Sequence, residues 1–157
     1  MADFYTDGSH DTSTVNGVGG WAWVRVDTIN DLAVYTEHAS GRIKLMSVLN
    51  LDARSMEIRA IQMAIFSCPP KSSCRIFCDE QNVVNLFYAE SITDERCEAI
   101  QKIRQYARLY RIDFFVQWNK RNSSVYAGYA DHLAKSARKD GTPIAFEYYA
   151  EQYYQQR

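Results

Sequence analysis

The feature that most constrains this chain is a change of hydrophobic period near residue 50. Before it, Trp21, Trp23 and Arg25 fall on one face of an extended segment and Ala22, Val24 and Val26 on the other, which is strand periodicity. After it, apolar or small residues recur at 53, 56, 60, 61, 64 and 65, the spacing of one helical face. Strands joined by short connections form an antiparallel meander, whereas strands reached through helical crossovers return parallel. The reading along the chain is a strand at 2–7, a turn-rich stretch at 11–20, a strand at 21–27, a turn at 29–31 and a strand at 32–39. A helix at 53–67 follows, with Asp52 as N-cap and Pro69-Pro70 as its stop. Next come a strand at 74–79, a short helix at 81–89, and a helix at 95–110 behind the capping box Ser91-x-x-Asp94. A strand at 112–118 and a small-residue helix at 126–139, closed by Gly141 and Pro143, complete the pattern. The order β-β-β-α-β-α-α-β-α predicts an α/β fold: one mixed five-stranded sheet, strand one near its centre, flanked by helices. No repeat or linker divides the chain, so a single domain over 1–157 is expected, with a core at 2–139 and a Tyr-rich C-terminal extension at 140–157 in which a helix is expected.

A chain of 157 residues can bury a core without disulfides or a structural metal. Its 46% hydrophobic content excludes wholesale disorder. Eighteen basic against nineteen acidic residues exclude a broadly basic nucleic-acid coat but not a local basic groove. No apolar run approaches the roughly 20 residues of a membrane span, and the charged start Met1-Ala2-Asp3 is unlike an export signal. A cytoplasmic protein with no membrane partner, monomeric, is the expectation. Cys68, Cys74, Cys78 and Cys97 lack the paired C-x-x-C spacing of a zinc site. They read as reduced thiols, Cys78 packing in a strand and Cys68 lying near Cys74 across a turn.

Four carboxylates are poorly explained by local structure. Asp7 closes the first strand before Gly8, where a turn aspartate is common. Glu57 shares the helical stripe of Ala53, Ala60, Ile61 and Ala64 and so faces the sheet, where an unpaired carboxylate is costly. Arg54 and Arg59 belong to other faces and reach it poorly. Asp79 ends the fourth strand, and an N-cap is its simplest local reading. Asp131 lies on the small-residue stripe of Ala127, Ala130, Ala134 and Ala137, with Lys135 four residues on as a surface partner. Asp7 and Asp79 close neighbouring parallel strands, where open α/β sheets bind ligands, and the helices carrying Glu57 and Asp131 pack on that sheet. Four converging acids cannot all stay ionised unaided. Divalent cations relieve the repulsion, and an all-oxygen set suits Mg²⁺ or Mn²⁺ while the lack of Cys or His ligands argues against zinc. Two such ions can clamp a scissile phosphate.

The residues in question resemble those of type 1 ribonuclease H. The matching pieces are Thr6-Asp7-Gly8-Ser9, Gly17-Val18-Gly19-Gly20-Trp21, Met56-Glu57-Ile58-Arg59-Ala60, Asp79-Glu80-Gln81 and Ala130-Asp131-His132-Leu133-Ala134, in order from about residue 2 to residue 139. The resemblance implies sheet order 3-2-1-4-5. It implies that Asp7, Glu57, Asp79 and Asp131 are catalytic carboxylates binding two Mg²⁺ or Mn²⁺ ions, with the Gly8 carbonyl as an added ligand. It implies an endonuclease that hydrolyses the RNA strand of RNA·DNA hybrids, leaving 3′-hydroxyl and 5′-phosphate ends. Substrate contacts are expected from Ser9, Asn16, Arg54, Gln81, Lys120, Arg121 and Asn122.

The chain departs from that pattern in three places. The loop 118–124, Trp-Asn-Lys-Arg-Asn-Ser-Ser, has no histidine; His10 and His132 are the nearest in sequence. Ala53 and Arg54 stand where the family often has two asparagines. The connection at 88–93 has no basic handle and no hybrid-binding module precedes the core, so weak, salt-dependent substrate binding is expected. Two alternatives remain open at this point: a resolvase- or transposase-like DNA nuclease using the same acids, and a catalytically weak hybrid-binding module. Lys135, Arg138 and Lys139 could flank the site. The long helix's Lys102, Arg104, Arg108 and Arg111 read as a solvated face, and the C-terminal tyrosines as cover for the domain's own core.

Overall fold

The computed structural model describes residues 1–11, 17–44, 53–89 and 95–157. Its elements run β1(Ala2–Asp11), β2(Val18–Ile29), β3(Leu32–Lys44), α1(Ala53–Phe66), β4(Ser73–Cys78), α2(Gln81–Phe87), α3(Glu95–Tyr110), β5(Asp113–Trp118), α4(Val125–Arg138) and α5(Phe146–Gln155). The sheet is five-stranded in the order β3-β2-β1-β4-β5. β1, β2 and β3 pair antiparallel, and β4 runs parallel to both β1 and β5. This is the mixed sheet that the change of period predicts.

Both faces of the sheet are covered, and the alternation in β2 shows how. Trp23 packs into the cluster of Phe4, Ile61, Ile65, Ile76 and Ile103 beneath α1 and α3. Ala22, Val24 and Val26 face the other way, against Tyr129, Ala130, Leu133 and Ala134 of α4. The small stripe of α4 lets it lie directly on β2: a Cβ added at Gly20 would stand 2.1 Å from the Ala134 carbonyl oxygen. α5 closes this second layer. Phe146 stacks on Tyr35 at 4.2 Å, and Tyr149 packs on the fully buried Tyr129. The tyrosine-rich end is thus a helix whose inner side covers core, as the sequence suggests.

Several boundaries differ from the sequence reading, each for a packing reason. β1 does not stop at Asp7. Its parallel pairing with β4 ends at Thr6↔Cys78, but its antiparallel pairing with β2 continues to Asp11↔Val18. The glycines at 19 and 20 therefore belong to a strand, selected by close approach rather than by a turn. β3 extends to Lys44 because Ser40–Lys44 pair with Val18–Ala22. Gly41, within this extension, leaves room for the Trp21 ring. The β2–β3 hairpin turns on Asn30 and Asp31 alone, both with positive φ (51° and 65°), the two-residue geometry that fits strand twist. The Asp52 cap and the Ser91–Asp94 capping box lie outside the described residues. Among the described residues no helix is long and apolar enough to cross a membrane. Cys68, Cys74 and Cys78 are buried free thiols, and Cys68 lies within hydrogen-bonding reach of Cys74.

Candidate metal centre

The carboxyl ends of β1 and β4 form one edge of the site. Asp7 is the first β1 residue beyond the parallel pairing, and Asp79 the first residue after β4. α1 crosses β1 at the neighbouring residue: a Cβ on Gly8 would come within 2.5 Å of the Glu57 amide and the Met56 carbonyl carbon. Only glycine permits that approach, and it delivers Glu57 beside Asp7. α4, held against β2, delivers Asp131 from the opposite face of the sheet. Four residues remote in sequence thereby meet.

The contacts form a run. Asp7 lies within hydrogen-bonding reach of both Glu57 and Asp131, and also feels the Asp79 charge. The Gly8 amide donates to Asp7 Oδ1 at 2.9 Å and also bonds Glu57. Asp7 is 4% and Glu57 6% exposed. Burial, reinforced by the charge of Glu57, pushes the Asp7 carboxyl well above the usual carboxylate range. Burial likewise raises Glu57 to about 8. Asp79 is raised by burial and by the charge of Asp131, with Arg121 opposing. Among the described residues Asp7, Glu57 and Asp79 make no ion pair. Asp131 differs. Burial pushes it upward, but hydrogen bonds from Asp7 and Lys135 and the Lys135 and Arg121 charges outweigh that and hold it low. Lys135 Nζ stands 2.9 Å from Asp131 Oδ2 and Arg121 Nη2 3.4 Å from Oδ1. The surface partner foreseen for Asp131 is therefore present, and a second cation with it.

The N-cap reading of Asp79 is corrected: the cap of α2 is Glu80, whose side chain accepts from the Asn82 amide. Asp79 is instead anchored through its backbone, its carbonyl accepting from the Trp118 indole at 3.1 Å. A thiol also lies beside the acids. Cys78 Sγ lies 3.7 Å from Glu57 Oε2. Among the described residues, the donor atoms of Glu57, Cys78 and Asp79 lie within 4.8 Å of one another. Strand alternation sends residues 78 and 79 to opposite faces, which hides the pairing in the sequence. The strand ends at Cys78, and the bend at Asp79 turns its carboxylate back toward the same spot. Burial and the Glu57 charge push the Cys78 thiol well up.

The foreseen substrate contacts scatter around this centre. Ser9 lies in β1 opposite Gly20. Arg54 and Lys120 are exposed. The Gln81 amide is bonded to Asn85 within α2. Arg121 turns to Asp131, and Asn122, at φ 54°, gives its carbonyl to Tyr153 and Arg157 of the C-terminal segment. Asn16 lies outside the described residues. His132 faces away from the acids, accepting from the Ile144 amide at 3.1 Å between Tyr129 and Tyr149. His10 pairs with Gly19 further along β1. A cavity of about 500 Å³ opens at the other end of the sheet, beside Ala2 and Cys68, away from the carboxylates.

No protein-family model and no curated protein matches the chain. Solved structures do. Ribonuclease H1 of the halophilic archaeon Halobacterium salinarum aligns over 89% of this chain and 98% of its own, at 18% identity and TM-score 0.66. The N-terminal ribonuclease H domain of a Mycobacterium tuberculosis protein, solved as a maltose-binding-protein fusion, covers 96% of both chains at 15% identity and TM-score 0.63. LC11 ribonuclease H1, solved in complex with an RNA/DNA hybrid, covers 89% and 98% at 16% identity and TM-score 0.66. Sheet order, crossover pattern and these matches agree: the chain has the ribonuclease H fold.

Proposed function

We propose that this protein is a divalent-metal-dependent endonuclease that hydrolyses the RNA strand of RNA·DNA hybrids, leaving 5′-phosphate and 3′-hydroxyl ends. The observation that carries the reading is the run Asp131–Asp7–Glu57 with Asp79 beside it, three of the four acids making no ion pair among the described residues. Such a cluster is costly to a fold unless something positive occupies it. The donor set suits hard dications. Asp7, Glu57, Asp79 and Asp131 would hold two Mg²⁺ or Mn²⁺ ions, with the Gly8 carbonyl as a further oxygen. Bound there, the cations supply an activated water for in-line attack at phosphorus and neutralise charge on the leaving oxygen. The likeness to a ribonuclease H1 solved with its hybrid favours RNA·DNA over other duplexes.

The chain's own groups have distinct tasks in this reading. The Gly8 amide orients the Asp7 and Glu57 carboxyls. The Trp118 indole fixes the backbone that carries Asp79. Lys135 and Arg121 hold Asp131 ionised and ready. Arg121, with a side chain 63% exposed, and Lys120 stand in the loop that lacks a histidine, where they can meet substrate phosphates. Ser9, Arg54, Gln81 and Asn122 complete the proposed substrate contacts.

The test is cleavage of a labelled RNA·DNA hybrid with Mg²⁺ or Mn²⁺, beside double-stranded RNA and a DNA junction. Hybrid cleavage that vanishes in Asp7→Asn and Asp79→Asn, both folded by circular dichroism, supports the proposal. Junction cleavage alone would assign a DNA nuclease. Absence of cleavage, with no rise in melting temperature at millimolar Mn²⁺, would leave a binding module.

A further inference from the structure

Cys78 is not needed by the proposed reaction, yet its sulfur points into the centre rather than only into the core. We propose that Glu57, Cys78 and Asp79 form a mixed sulfur–oxygen seat for a thiophilic divalent cation of the Zn²⁺ or Cd²⁺ class, whose binding displaces the hard ions and inhibits the protein. The inhibitory part rests on the function proposed above; the seat does not.

Geometry is the first argument. A tetrahedral ion with bonds of about 2.3 Å to sulfur and about 2.1 Å to oxygen holds those two donors about 3.6 Å apart. Cys78 Sγ and Glu57 Oε2 are 3.7 Å apart. The thiol donates a hydrogen bond to the carboxylate at that distance, and the same spacing suits two ligands of one ion. Asp79 supplies a third donor, all three lying within 4.8 Å of one another. Backbone constraint is the second argument. Cys78 is the last β4 residue, paired with Thr6, and Glu57 is fixed by the contact of α1 with Gly8, so neither ligand needs to travel. Donor chemistry is the third. Mg²⁺ and Mn²⁺ gain little from sulfur, whereas Zn²⁺ and Cd²⁺ gain much, and Zn²⁺ already exceeds Mn²⁺ in affinity at most sites. On binding, the S–H bond is exchanged for a sulfur–metal bond and the proton passes to the buffer.

Co²⁺ is the spectroscopic probe, used on the intact chain and on Cys78→Ser, which keeps a hydroxyl donor toward Glu57. The wild type should develop a near-ultraviolet thiolate-to-cobalt charge-transfer band that Zn²⁺ abolishes. Cys78→Ser should lack the band and bind Zn²⁺ at least tenfold more weakly by calorimetry, while Mn²⁺ affinity shifts by less than threefold. A band that persists in Cys78→Ser belongs to Cys68, Cys74 or Cys97 and overturns the proposal, as does unchanged Zn²⁺ affinity. Hybrid cleavage with Mn²⁺ is scored separately. A cobalt band without cleavage keeps the seat and removes the nuclease reading; cleavage without a band does the reverse.

Discussion

The metal-free protein should lose stability as pH rises through neutrality, and Glu57 contributes a definite part of that loss. Its carboxyl titrates near 4.5 when free and near 8 in the fold, chiefly because burial disfavours the charge. A group raised in this way favours the folded state fully below its unfolded value, and that advantage is gone once pH has passed its folded value. A rise from 4.5 to about 8, at about 1.4 kcal/mol per unit, comes to about 5 kcal/mol. Asp7, raised by burial and by Glu57, acts in the same direction. The loss is comparable to the whole stability of a small domain, about 5–15 kcal/mol. Urea unfolding with EDTA present, from about pH 5 to about pH 9, measures it. Glu57→Gln removes the charge and keeps an acceptor for the Gly8 amide. After about 1–2 kcal/mol is allowed for altered hydrogen bonds, the variant should be about 3 kcal/mol more stable than wild type near pH 9 and nearly level with it near pH 5. Mn²⁺ should flatten the wild-type profile, because the cation competes with the protons. A wild-type profile that is flat or rising over this range, or a Glu57→Gln variant weaker than wild type near pH 9, would refute the electrostatic account of the site.

Three further outcomes follow from the scaffold. Gly20→Ala puts a methyl 2.1 Å from the Ala134 carbonyl oxygen, a backbone atom that cannot step aside; a loss of about 1–3 kcal/mol should appear in the urea midpoint. Phe146→Ala removes the ring stacked on Tyr35 and packed against Tyr129; a half-buried phenylalanine should cost about 2 kcal/mol, seen as a lower midpoint with unchanged m-value. Lys135→Ala removes one of the two cations on Asp131, whose depressed carboxyl stabilises above its unfolded value and stops doing so as pH falls. With Lys135 45% exposed the loss near pH 6 should stay under about 1 kcal/mol and vanish near pH 2, which unfolding at the two pH values decides.

The sequence made the architecture legible because each layer wrote its own period. Trp23 alternating with Ala22 and Val24 located a strand, buried on both faces in the fold, and the alanine stripe of α4 pointed to a close approach, which in the fold is to β2. What it concealed were features that depend on a partner strand. Gly19 and Gly20 read as part of a turn-rich stretch, though in the fold they are gaps into which Met56 and Ala134 fit. Asp79 read as a cap because an acid before a helix usually is one; the neighbouring Glu80 takes that place. Cys78 read as a thiol packed in a strand, and it is one; that Asp79 comes to Glu57 beside it depends on the bend at the strand end. Glu57 and Asp131 stood out because each lay on an apolar or small-residue stripe of its helix, and Asp7 because it read as closing a strand next to the one that Asp79 closes.

The asymmetry among the four acids is itself informative. A cluster retained only for structure would gain from a base beside each buried carboxylate, since removing the partner of a buried charge costs several kcal/mol. Asp131, half-buried at the rim, has two such bases in Lys135 and Arg121. Asp7 and Glu57, the most buried, have none among the described residues, and burial raises both carboxyls. The fold therefore carries its largest electrostatic penalty at its best-determined backbone positions, where β1 and α1 meet at Gly8 and neither can relax. The Ile-rich layer beneath α1 offsets that penalty. Its own burial would be just as favourable with a methionine at 57, so hydrophobic packing does not explain the carboxylate. Under the proposed function, a cation exchanging with protons at this point would account for it: binding would convert the penalty into binding free energy and tie the stability of α1 against β1 to occupancy of the centre.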